Sequence, residues 1–155
     1  MRNVQQLAST LKINPKDIEN WLARNRRGEL HLWTEYQDTI KGRSRLFTKP
    51  NAIELFTITE FVRCGAVLAD AVLNAKRVLD IAEGHTPHRQ RYMVFAEGEY
   101  KTGKLTNNIS DHAKLMLELD CVSLRIVDVK RLLSKVDELF KKNPEADMVA
   151  RGMLS

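Results

Sequence analysis

The stretch Leu7-Ala8-Ser9-Thr10-Leu11-Lys12-Ile13-Asn14-Pro15-Lys16-Asp17-Ile18-Glu19-Asn20-Trp21-Leu22 sets the reading of the N-terminal part of the chain. Leu7, Ala8 and Leu11 recur at helical spacing and form the inner face of one short helix. Ala8 is small where two helices must approach closely, and Ile13 plugs the turn. Asn14 can cap the next helix through its side-chain oxygen. Pro15 then takes the first helical position, where its missing N–H costs nothing. Ile18, Trp21 and Leu22 make the inner face of the second helix at i, i+3 and i+4. Two short helices joined in this way form a helix-turn-helix, whose second helix is the one placed in a DNA major groove.

Working outward, Arg24-Asn25-Arg26-Arg27-Gly28 reads as a basic helix end with a glycine suited to the C-cap. Glu29 to Tyr36 alternates as a strand would, with Leu30, Leu32 and Thr34 on one face and His31, Trp33 and Glu35 on the other. The polar residues 37–42 can turn, and Gly42-Arg43-Ser44-Arg45-Leu46-Phe47 supplies a second strand. Together 29–47 are expected to form a hairpin, or wing. Thr48 or Asn51 can cap the following helix, which is dense in apolar residues and ends at Cys64-Gly65. A longer helix over 67–82 carries a wide apolar stripe.

Gly84-His85-Thr86-Pro87-His88 ends that helix and marks the expected domain boundary. Beyond it, Tyr92-Met93-Val94-Phe95 and the alternation of Val122, Leu124 and Ile126 suggest strands. Ser110-Asp111 can cap one helix, and Asp128 caps a second, amphipathic one over Val129, Leu132, Leu133, Val136, Leu139 and Phe140. The expected fold class is mainly α with small β. A winged helix-turn-helix over 1–83 is followed by a small α/β accessory domain over 90–143, for dimerisation or partner binding, and a loose tail over 144–155.

Charge is distributed unevenly. Residues 1–49 carry 10 Lys/Arg against 5 Asp/Glu, whereas 50–155 carry 15 of each, so the formal excess of +5 sits on the helix-turn-helix segment. Such asymmetry points to a polyanion partner, because a single-sign field gives sequence-independent affinity for phosphate. The 43% hydrophobic and 29% charged content is ordinary for a globular protein. Asp70, Lys76 and Arg77 interrupt the longest apolar stretches, so no membrane partner is expected. The N-terminus has no apolar signal-peptide core, and two cysteines 57 positions apart suggest no disulfide framework; a cytoplasmic, thiol-reduced setting is expected.

The ordered set from about Val4 to Leu79 resembles the DNA-binding domain of the MerR family of transcription regulators. Ala8 to Trp21 is similar to the family's helix-turn-helix, including Ile18 and Trp21 in the second helix. Gly42 to Thr48 is similar to its wing return, and 51–65 with 66–79 to the helix pair behind the wing. The resemblance implies a winged fold and a DNA-binding role. Lys12 stands where the family's turn glycine is usual, so the turn must either place a side-chain-bearing residue in a left-handed conformation or bend differently. Glu19 stands where the family usually has arginine.

With Ile18, Trp21 and Leu22 inward, Lys16, Asn20 and Arg24 face outward. Asn pairs bidentately with adenine, and Arg pairs with guanine or phosphate. Lys41, Arg43 and Arg45 on the wing are expected to reach phosphate or minor groove, with Arg26 and Arg27 as further phosphate contacts. The chain is thus expected to be a sequence-specific DNA-binding protein and transcription regulator, acting on double-stranded DNA as a homodimer. The alternative is a protein-interaction or assembly module whose helix-turn-helix is structural. No cofactor or metal is called for, since Cys64 and Cys121 lack a Cys-x-x-Cys spacing and His85 and His88 flank a proline. No catalytic constellation accompanies Asp111 and His112, so an enzyme is not expected.

Overall fold

The computed structural model describes residues 1–38, 42–85 and 90–141. These form, in order, β1 (Arg2–Asn3), α1 (Val4–Leu11), α2 (Pro15–Arg26), β2 (Leu46–Phe47), α3 (Lys49–Arg63), α4 (Leu68–Ala82), β3 (Tyr92–Ala96), β4 (Lys104–Thr106), α5 (His112–Glu118), β5 (Leu124–Asp128) and α6 (Val129–Phe140). The described residues are mainly helical with two small antiparallel sheets, one pairing β1 with β2 and one in the order β4-β3-β5.

Helix starts follow local capping chemistry. Asn3 and Gln6 form a reciprocal capping box on α1, with the Asn3 side chain accepting from Gln6 N at 3.0 Å and Gln6 accepting from Asn3 N at 2.8 Å. The Asn14 side chain accepts from Lys16 N at 2.9 Å ahead of Pro15. Thr48 and Asn51 make a second capping box on α3, so both residues named as alternative caps take part. Asp111 and Asp128 cap α5 and α6. Between α1 and α2, Lys12 adopts φ 56° and ψ 37°, the left-handed conformation that a turn without glycine here demands.

Helix α3 is the centre of the core. Every residue from Asn51 to Thr59 is buried, together with Phe61. Helix α4 lays Ala71, Val72, Ala75, Val78 and Leu79 against it. Helix α6 packs Leu132, Val136 and Leu139 back onto α3 and α1. The apolar stripes of α4 and α6 are therefore covered largely within one chain. The boundary expected at 84–88 does not separate two cores. A single buried cluster runs from Leu7 through Phe61 to Met93, Phe95 and Leu139. The rings of Phe61, Phe95 and Tyr100 join α3 to the second sheet, with centroids 5.4 Å (Phe61–Phe95), 6.1 Å (Phe61–Tyr100) and 5.6 Å (Phe95–Tyr100) apart. Gly103 admits this packing, because a Cβ there would run into the Phe95 ring. Arg2 adds a polar tie, its Nε donating to the Leu139 carbonyl at 2.8 Å. The tail 144–155 lies outside the described residues.

The hairpin expected over 29–47 is replaced by a different arrangement. Among the described residues of this stretch only Leu46–Phe47 is strand, and it pairs with Arg2–Asn3 rather than with 29–36. The physical reason is that Leu32, Trp33 and Thr34, in the middle of the arm 30–36, give their amides to side chains instead of a ladder. Asn25 Oδ1 accepts from Leu32 N at 3.0 Å, and the Glu54 carboxylate accepts from Trp33 N at 2.6 Å and Thr34 N at 3.1 Å. No helix of the described residues is long and apolar enough to cross a membrane.

Candidate nucleic-acid interface

The inner face of α2 is buried as its spacing requires, with Ile18 fully covered and Trp21 and Leu22 at 5% and 2% exposure. The opposite face carries Lys16, Asn20, Arg24 and Arg27 in successive turns, and Lys16, Asn20 and Arg27 are exposed. The helix ends where Gly28, at φ 74°, turns the chain so that Glu29 N returns to the Arg24 carbonyl at 2.9 Å.

That turn also places an acid among the cations. Arg27 donates through Nε and Nη2 to Glu29 at 2.9 and 3.1 Å, and Arg24 Nε lies 3.9 Å from the same carboxylate. The Arg27 hydrogen bond holds the Glu29 carboxyl below the usual carboxylate range. Arg24 and Arg27 thus share one counter-charge, while among the described residues Lys16 has no carboxylate within ion-pair distance.

The remaining expected contacts divide. Arg26 points to a cleft of about 430 Å³ between the end of α2 and the arm, shared with Asn25, Glu35, Tyr36, Asp38 and Arg45. Arg43 is exposed on the loop before β2. Arg45 is buried to 8% exposure and so is corrected from a groove contact to an internal residue of that cleft. Lys41 lies outside the described residues. The structure therefore groups Lys16, Asn20, Arg24 and Arg27 on one face, sets Arg26 with Arg45, and leaves Arg43 on its own loop.

The arm beside this surface is positioned by Glu54, a fully buried carboxylate that sequence reasoning passed over. Besides the two amides, it accepts from Thr34 Oγ1 at 2.7 Å and from the Tyr36 hydroxyl at 2.8 Å. Asn51 extends the network, its Nδ2 donating to Thr34 Oγ1 and to the Glu35 carbonyl, each at 2.9 Å. Burial, then the Glu54 charge, push the Tyr36 phenol well above its ordinary value, so Tyr36 stays a donor. The arm in turn displays Trp33, half-exposed, with its indole N–H fixed on the Val72 carbonyl at 3.0 Å and Lys76 Nζ 5.6 Å from the ring centroid. The legible signal was a lone glutamate inside the apolar run Ile53-Glu54-Leu55-Phe56. A second contact fixes the turn ahead of α2, where an Arg63 guanidinium nitrogen donates to the Lys12 carbonyl. Among the described residues no group of three His, Cys, Asp or Glu is arranged to hold a metal.

No protein family, curated protein or solved structure matched this chain, so the MerR-type reading rests on the chain's own residues.

Proposed function

We propose that the protein binds double-stranded DNA with the outer face of α2 and serves as a sequence-specific transcription regulator of MerR-like helix-turn-helix type. The observation that carries the reading is the two-sided character of α2. A capped helix with a buried Ile18-Trp21-Leu22 face leaves Lys16, Asn20, Arg24 and Arg27 together on its outer side, in the segment that holds the chain's charge excess. In this reading Asn20 contacts a base edge and Lys16 a phosphate, with Arg24, Arg26 and Arg27 as further backbone contacts. Arg43 is the contact left to the loop before β2, and the arm pinned by Glu54 stands in place of a free wing. One recognition helix touches few bases, so the reading includes a second copy bound to a paired half-site. The free cysteines Cys64 and Cys121 fit a reduced, cytoplasmic setting.

The protein-interaction alternative has one observation in its favour, the 83% and 97% exposure of Leu117 and Val122 around α5. A titration of affinity for a random duplex against salt separates the two. Several phosphate contacts give a steep fall of log affinity with log salt, about 0.9 per contact. A flat dependence, or no binding, favours the interaction module.

A further inference from the structure

Besides the outer face of α2, one groove carries more positive charge than its carboxylates balance. It encloses about 240 Å³ between α3, β5 and α6, and Glu60, Arg125, Asp128, Arg131 and Lys135 are among its lining residues. Each acid there already has its own cation. Asp128 pairs with Arg91 at 2.9 Å, which holds its carboxyl below the usual range, and Glu60 pairs with Arg63 at 2.9 Å. Arg125 is fixed by Glu97 at 2.9 Å. Arg131, whose charge helps to hold the Asp128 carboxyl down, and Lys135 make no ion pair of their own: among the described residues neither has a carboxylate within 4.0 Å.

These two cations sit one turn apart on α6, at i and i+4, where like charges on a helix repel. An anion lodged between them would remove that repulsion. The apolar wall of the groove, which includes Phe56 and Leu132, would strengthen the attraction by lowering the local dielectric. Arg125, held in place from behind, offers a third, positioned guanidinium whose planar donors suit phosphate oxygens.

We propose that this groove binds a phosphate group, held by Arg131 and Lys135 with Arg125 as the third contact. Its volume is below the roughly 300–1,000 Å³ of sites for drug-sized ligands, which limits the occupant to a small phosphoanion or one phosphate of a longer chain. The groove lies close to the turn that enters α2, since its Glu60 pairs with Arg63 and Arg63 also holds the Lys12 carbonyl. A backbone phosphate of a duplex is therefore one source of the group, and a free phosphoanion is the other. Binding of the free form does not depend on the duplex reading.

The test uses the full chain and inorganic pyrophosphate, followed by isothermal calorimetry in dilute chloride buffer. Saturable uptake that weakens at least about tenfold in the double variant Arg131→Gln/Lys135→Gln, and within about twofold stays unchanged in Lys130→Gln, assigns the groove to a free phosphoanion. Circular dichroism and a thermal melt establish that both variants are folded. Absence of uptake combined with a duplex salt slope lower by about two in the double variant assigns it to a backbone phosphate. A double variant that matches the wild type in both measurements, or a wild type that shows neither effect, overturns the proposal.

Discussion

Replacing Glu54 by Gln tests the account of the arm. The carboxylate takes four donors on two oxygens: Trp33 N on Oε2, and Thr34 N, Thr34 Oγ1 and the Tyr36 hydroxyl on Oε1. A carboxamide keeps one oxygen and turns the other into a donor. If the new NH2 takes the Oε1 place, the hydroxyls of Thr34 and Tyr36 can rotate and accept from it, but Thr34 N–H cannot. If it takes the Oε2 place, Trp33 N–H faces it. Either orientation strands one backbone amide, at a cost of about 1–3 kcal/mol. The surviving hydrogen bonds also lose their charge assistance, which roughly halves their strength. Against this stands the relief of no longer burying a charge. A net loss of about 3 kcal/mol is expected, or about 6–12 °C in Tm for a chain of this size. Urea titration and calorimetric melts measure it. A variant within about 0.5 kcal/mol of the wild type, the scatter of ordinary surface changes, would refute the assignment of Glu54 as the anchor of the arm.

Three further outcomes are expected. Trp21→Ala should cost about 3–5 kcal/mol in a denaturant titration, because its indole is buried between α2 and the core; an unchanged midpoint means the helix phase is wrong. Lys12→Gly should stabilise by about 0.5 kcal/mol by relieving a left-handed side chain, as read from the shift in urea midpoint. Asp128 is held down by Arg91 and by the Arg131 amide, so its contribution is present above its unfolded value near pH 4 and is lost as pH falls through the lower folded value. Asp128→Asn, which still caps α6, should therefore flatten the decline in stability below about pH 4.

Much of the helical skeleton was legible because its signals are local. Asn14-Pro15, Thr48 with Asn51, Asp111 and Asp128 each announce a helix within three or four residues of where it begins. The inward phase of α2 follows from the spacing of Ile18, Trp21 and Leu22 alone. The arm was misread because a period of two measures which side chains are covered, not where the amides find acceptors. Its acceptor, Glu54, lies 18–21 residues further along the chain. The β1–β2 pair escaped because two residues have no period, and its partner sits at the far N-terminus. Arg45 looks like a wing cation in sequence, yet Arg2–Asn3 takes the adjacent strand position and the cleft closes over it. The continuity of the core across 84–88 depends on α6 returning to α1 and α3, contacts between segments distant in sequence, with Arg2 and Leu139 separated by 137 positions.

The central claim is that the outer face of α2 reads duplex DNA. It is tested most directly by selecting bound sequences from a random duplex pool and then measuring affinity for the winner by fluorescence anisotropy across a salt series, with Lys16→Ala and Asn20→Ala beside the wild type. Lys16→Ala should weaken all duplexes alike and lower the salt slope by about one. Asn20→Ala should relax preference at a single base pair, at a cost of about 1–3 kcal/mol against the selected site only. A pool that yields no enriched sequence, or two variants indistinguishable from the wild type in slope and in preference, would contradict the claim.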